Sequence, residues 1–158
     1  MMSTIISGCA DFPESKYTIL IKGASEKVLE TCTHVRLANG KTTELKTEDK
    51  NKIRQRLEDM GDKALRVIGV AANYTGGFFK DVKDNADKKR LLLDFDKYPS
   101  YEQGATFLGF VGIMDPLRPE VTPAIVRCKT AGVRVIMITG DSKITAQRIA
   151  ADCGILEG

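Results

Sequence analysis

Thr139-Gly140-Asp141 combines three residue types that suit phosphoryl chemistry. A threonine hydroxyl and the amides of a turn can donate to phosphoryl oxygens, a glycine admits close backbone approach, and an aspartate can orient water, a ribose or a metal. The tripeptide follows the apolar run Val133 to Ile138 and precedes a helical pattern. Open α/β sheets take their ligands at such a place, at the end of a strand and the start of a helix, and phosphate is the natural guest. The same strand-turn-helix with a capping Asp or Ser also serves as purely structural punctuation. Lys22-Gly23-Ala24 has the same two readings, since a lysine after a strand and before a glycine turn is ordinarily a solvated side chain. Arg66 is a lone charge inside the apolar run Ala64 to Ala72. Burial there would demand an anionic partner, either Asp62 or a nucleotide phosphate. Asp115-Pro116-Leu117-Arg118-Pro119 is a stiff break that fits a rigid linker or a hinge between unlike domains.

The surrounding patterns show which elements would carry these residues. Tyr17 to Ile21 reads as a strand, Gly23 as a turn, and Ser25 to Cys32 as a short helix capped by Ser25. His34 to Leu37 and Thr42 to Leu45 flank Asn39-Gly40, which predicts a hairpin. Thr47 to Met60 sets Ile53, Leu57 and Met60 on one helical face, with Gly61 as its stop, and Ala64 to Ala72 reads as a buried strand. Residues 75 to 104 have weak periodicity and suggest a long surface excursion, with a helical turn around Leu91 to Leu93. Thereafter the spacing predicts a strand over Thr106 to Met114 and a helix over Glu120 to Ala131. A buried strand over Val133 to Ile138 and a helix over Ser142 to Cys153 follow. The first portion is α+β, and the last has the order of a doubly wound parallel α/β domain.

Composition narrows the function classes. The 158 residues are 42% hydrophobic and 28% charged, and the net charge of +3 comes from 24 basic and 21 acidic residues spread along the chain. Without a sustained basic run, nucleic acid is a poor partner. Cys9, Cys32, Cys128 and Cys153 form no Cys-x-x-Cys pair, and the single histidine, His34, has no second pair to complete a zinc site, so the thiols read as reduced. No stretch approaches the roughly 18 apolar residues of a membrane helix, and residues 1 to 6 lack the makeup of a signal peptide, so a soluble cytosolic segment is expected.

Several of these segments, in this order, closely resemble P-type cation ATPases. They are Lys22-Gly23-Ala24 with Glu26, Cys32-Thr33-His34-Val35, Leu65-Arg66, Met114-Asp115-Pro116-Leu117-Arg118, and Val133 through Lys143 with its Thr-Gly-Asp. The resemblance runs from Met1 to Ile155 and is greatest to the sarco/endoplasmic reticulum calcium pump branch. It implies that residues 1–115 are the C-terminal part of a nucleotide-binding domain and residues 116–158 part of a haloacid-dehalogenase-like phosphorylation domain. It also implies that Lys22, Gly23, Ala24 and Arg66 contact ATP, and that Asp115, Pro116 and Arg118 act at the hinge. Thr139, Gly140 and Asp141 would position the phosphoryl group and nucleotide. The intact parent would be a calcium-translocating enzyme of an endoplasmic reticulum-type membrane, using ATP and Mg2+ and working with its membrane helices. The chain contains neither the family's Asp-Lys-Thr-Gly-Thr nor its Gly-Asp-Gly-x-Asn-Asp, and the aromatic that stacks on adenine would precede Met1. By itself it is therefore expected to form no phosphoenzyme, and Mg2+ would be held mostly by residues elsewhere. Ser25 and Leu117 stand where the family often has proline. Two other readings are a non-catalytic nucleotide-binding or regulatory module and a dehalogenase-like phosphatase, the latter disfavoured by the missing nucleophile.

Overall fold

The computed structural model describes residues 1–10, 16–74, 82 and 85–156. It contains a six-stranded mixed sheet in the order β1-β2-β5-β6-β3-β4. The strands are β1 (Met2–Ser7), β2 (Tyr17–Ala24), β3 (Cys32–Arg36), β4 (Thr42–Glu44), β5 (Arg66–Asn73) and β6 (Ala105–Ile113). The helices are α1 (Ser25–Thr31), α2 (Thr47–Gly61), α3 (Asn85–Leu92), α4 (Tyr98–Tyr101), α5 (Val121–Thr130) and α6 (Lys143–Asp152). The chain divides into two compact units, one of residues 1–51 with 68–111, the other of residues 52–67 with 112–158.

In the first unit, β1 and β2 are antiparallel, with Met2 opposite Lys22 and Ser7 opposite Tyr17. β2 is antiparallel to β5, with Ala24 opposite Ile68. Strand alternation sets the core: Ile19 and Ile21 of β2 are each 1% exposed, whereas Leu20 and Lys22 between and beyond them face solvent. Val28 and Leu29 of α1 are fully buried. α1 lies close against β5, because a Cβ at Gly69 would come 2.9 Å from the Ser25 Cα and 3.3 Å from the Val28 Cβ. The hairpin of β3 and β4 turns through Gly40 at φ 80°, as Asn39-Gly40 predicts. β3 also runs parallel to β6, with Cys32 opposite Ala105 and a bulge before His34.

The second unit holds the C-terminal part of α2, then α5 and α6. Leu57, Ile125, Ala150 and Cys153 are its buried apolar residues. Both later helices end on a glycine with positive φ, Gly132 at 73° and Gly154 at 83°. In each case the next amide reaches five residues back, Val133 N–H to the Cys128 carbonyl and Ile155 N–H to the Ala150 carbonyl.

Several expectations need correction. Lys22-Gly23-Ala24 is not a turn: β2 continues through Ala24, with Gly23 paired to Gly69. Ser25 is not the cap of α1. Ala24 takes that position, no side chain caps the helix, and the buried Ser25 hydroxyl has no hydrogen-bond partner among the described residues. Residues 85–101 carry two helices and a 3-10 turn, more order than their weak periodicity suggests; residues 75–81, 83 and 84 of that excursion lie outside the described residues. Val133 to Ile138 forms no strand. A fully buried parallel strand needs hydrogen-bonded neighbours. Among the described residues none pairs with this run, and Val133, Ile136 and Ile138 are 54%, 67% and 94% exposed.

Candidate functional site

α6 begins with Ser142 as its N-cap, whose hydroxyl oxygen accepts the Thr145 amide, and Asp141 immediately precedes that cap. The Asp141 amide donates to Thr139 Oγ1 at 3.1 Å, and the Thr139 hydroxyl donates back to Asp141 Oδ2 at 3.0 Å. This closed pair of bonds fixes the turn locally, as Ser/Thr and Asp side chains do where regular structure stops. Gly140 between them has no positive φ, and among the described residues nothing lies within 4 Å of where a Cβ would stand. Its conformation is open to other residues; what it leaves is unoccupied space above the turn.

Arg66 meets this turn from the start of β5. Its Nε donates to Asp141 Oδ1 at 2.7 Å and its Nη2 to Oδ2 at 3.2 Å. This side-on, two-bond geometry is the one a guanidinium makes with a planar carboxylate. The expectation of a charge buried inside an apolar strand is not met. Arg66 is the first residue of β5 and its side chain is 60% exposed, against 15% for Asp141. Its carboxylate partner is Asp141, not Asp62. The Arg66 hydrogen bonds hold the Asp141 carboxyl below the usual aspartate range, outweighing the upward push of its partial burial, with the Thr139 hydroxyl adding to the lowering. Arg66 is raised in turn, chiefly by Asp141, and the negative charge of Asp115 contributes. Such an exposed pair adds little to stability. Its effect is to orient: a guanidinium with much of its surface in solvent stands beside a threonine hydroxyl at a helix start, an arrangement suited to an anion.

Among the described residues, the remaining candidates make no hydrogen bond or ion pair within this cluster. Lys22, Gly23 and Ala24 belong to the first unit, where Lys22 is exposed on β2 opposite Val70 of β5. Asp115, Pro116 and Arg118 form an exposed stretch without regular structure in the second. His34 is exposed and its Nδ1 lies 2.9 Å from Thr33 Oγ1. All four thiols are free, and burial pushes the Cys32 thiol up to about 11. Among the described residues, no group of three His, Cys, Asp or Glu converges as a metal site, and no helix is long and apolar enough to cross a membrane.

The first unit also has a hollow of about 320 Å3 that sequence reasoning does not anticipate, lined by Ser3, Ile5, Ile19, Tyr98 and Tyr101 among others. The two tyrosine rings are 5.9 Å apart, and the Ser3 hydroxyl donates to Glu102 at its rim. The available signals are the alternation of Ser3 and Ile5 on one face of β1 and the i, i+3 spacing of the tyrosines. Neither is distinctive. None of the candidate residues lines it.

The family profile for the P-type ATPase cytoplasmic domain N matches residues 1–120. The chain belongs to the P-type ATPase family. Its relatives in this family include the endoplasmic reticulum-type calcium-transporting ATPase 4 of Arabidopsis thaliana, 42% identical over 93% of the chain. Also similar are the plasma membrane-type calcium-transporting ATPase 7 of Oryza sativa subsp. japonica, 42% identical over 87%, and calcium-transporting ATPase 1 of Bacillus cereus, 40% identical over 99%. This P-type ATPase chain spans only 14%, 12% and 15% of those proteins' lengths. The mixed α+β fold and six-stranded mixed sheet are consistent with a nucleotide-binding domain, and most of their residues fall in the stretch matched to cytoplasmic domain N.

Proposed function

We propose that this chain is the nucleotide-handling portion of a calcium-transporting P-type ATPase, acting in a parent that couples ATP hydrolysis through an aspartyl phosphate to cation movement. Residues 1–115 act as part of the nucleotide-binding domain and residues 116–158 as part of a haloacid-dehalogenase-like phosphorylation domain. Arg66 binds the nucleotide's phosphates and Lys22, Gly23 and Ala24 contribute further contacts. Thr139, Gly140 and Asp141 position the phosphoryl group, and Asp115, Pro116 and Arg118 govern closure. The observation that supports this reading most is the Arg66–Asp141 pair with Thr139 bonded to it. It joins two segments 75 residues apart that a phosphoryl-handling role had singled out separately.

The chemistry assigned to these groups is electrostatic. A guanidinium oriented by Asp141, with its remaining N–H groups toward solvent, counters the charge of a phosphoryl group, while the Thr139 hydroxyl, whose proton goes to Asp141, must turn to donate to it. The nucleophile of an aspartyl phosphate is not among these residues, so the chain contributes positioning and not turnover. Among the described residues no three His, Cys, Asp or Glu side chains converge to hold Mg2+.

The test is a titration of the isotope-labelled chain with ATP followed by amide and Arg Nε–H resonances. Shifts at Arg66, Thr139 to Asp141 and Lys22 to Ala24, weakened by Arg66→Gln, are the expected result. Shifts confined to other residues would overturn the assignment. Hydrolysis of a phosphomonoester by the purified chain would instead favour a phosphatase.

A further inference from the structure

Thr145 is 3% exposed, and its hydroxyl does more than a third-position helix residue ordinarily does. Its Oγ1 donates to the Leu65 carbonyl at 3.2 Å, across 80 residues of sequence. The same oxygen lies 2.9 Å from Ser142 Oγ, and the Thr145 amide donates to that Ser142 oxygen at 3.3 Å. A hydroxyl carries one proton. With the Thr145 proton committed to Leu65, the Ser142 proton must point to Thr145 Oγ1, which gives a single consistent direction to the network. Leu65 immediately precedes Arg66, and Ser142 immediately follows Asp141. Thr145 also packs beside α2: a Cβ at Gly61 would stand in ordinary contact with Thr145 Oγ1 at 3.8 Å, the tight approach there, 3.1 Å, being to Ile144 Cγ2.

We propose that Thr145 is a positioning residue: through its hydroxyl it clamps the backbone before Arg66 to the cap after Asp141, and so holds the guanidinium–carboxylate pair in register. This rests on the functional reading of that pair given above and adds to it the residue that sets the pair's geometry. The bulk of Thr145 fills its place beside α2 and the hydroxyl ties the two backbones, so valine keeps the first property and loses the second, while serine keeps the second.

The experiment is read without nucleotide, so that its failure is distinct from failure of ATP binding. Hydrogen exchange of the Arg66 Nε proton is followed by NMR in the 158-residue chain, with Asp141→Ala as the reference for a lost pair. In Thr145→Val the exchange is expected to quicken by about two- to fivefold, the range that corresponds to losing an exposed ion pair, and to approach the reference; Thr145→Ser is expected to stay near wild type. Unchanged exchange in the folded valine variant would overturn the proposal, as would serine and valine variants that behave alike. Should the valine variant not fold, the wild-type chain decides. A Thr145 hydroxyl proton protected from water and close to the Leu65 carbonyl supports the clamp, and one exchanging at the rate of a solvent-exposed hydroxyl refutes it.

Discussion

Around Asp141 the structure separates residues that hold the turn from the one that leaves room above it. Thr139 and Arg66 are bonded to the carboxylate, whereas nothing approaches the place where a Gly140 side chain would begin. Gly140→Ala is therefore expected to change unfolding free energy by no more than about 0.5 kcal/mol, as for a surface substitution without strain. The same variant should weaken the ATP-dependent shifts, and comparing thermal denaturation with nucleotide titration checks both halves. The carboxyl of Asp141 lies below its usual range in the folded chain because of Arg66. A lowered carboxyl binds its proton less readily when folded than when unfolded. Its contribution to stability is thus present above the ordinary aspartate range and is lost as pH falls through the lowered value. Carbon-detected titration should show an Asp141 midpoint that rises in Arg66→Gln, and that variant should lose less stability than wild type on going from neutral to acid pH. Arg66 also marks what the sequence hides at this scale. Its need for an anion is legible from an apolar run, but its position at the strand's first residue, and hence its exposure, depends on where β5 begins.

Elements pack through points of closest approach, and two glycines test this in different ways. At Gly69 an added methyl would meet backbone, the Ser25 Cα at 2.9 Å, and α1 cannot yield without moving as a whole. At Gly112 the obstacles are the ends of side chains, Met60 Cε at 2.5 Å and Leu65 Cδ1 at 2.9 Å, which can rotate away. Gly69→Ala is expected to cost about 1–3 kcal/mol and Gly112→Ala less, within the range for overpacked sites; urea unfolding of both variants orders them. Periodicity makes the long elements legible: α2, α5, α6 and the β3–β4 hairpin fall within a few residues of where spacing and glycine stops put them. β2 outruns its expected end because β1 and β5 both pair with Lys22 and β5 alone carries Gly23 and Ala24 on in the ladder despite a glycine. Ladder partners are remote in sequence and leave no local mark. The same reason operates in reverse at Val133 to Ile138, where an apolar run of strand-forming residues stays outside the sheet because no described strand pairs with it.

At the scale of the whole chain, that run gives it an apolar surface it would share with other molecules in solution, since Ile136 and Ile138 are among its most exposed large side chains. Ile138→Lys is expected to reduce light scattering and binding of a hydrophobic dye at high concentration. Its unfolding free energy should move by about 0.5 kcal/mol or less, the usual effect of an exposed site. A family match over residues 1–120 and relatives at about two-fifths identity agree with what the motifs imply. The geometry that ties Arg66 to Asp141 has no mark in the sequence, because the two residues are 75 positions apart. The sheet order carries a further consequence, for the timing of assembly. β6 lies between β5 and β3, so before it is synthesised the strands can form only two separate pieces, β1-β2-β5 and β3-β4. The joining strand arrives last of the six, and its parallel pairing brings Ala105 to Cys32, a closure of the long kind that slows folding. A ribosome-bound chain halted just before β6 would thus present two further open strand edges, those of β5 and β3, and pulse-labelled amides that join β3 to β6 should gain protection together, after those of β1 and β2.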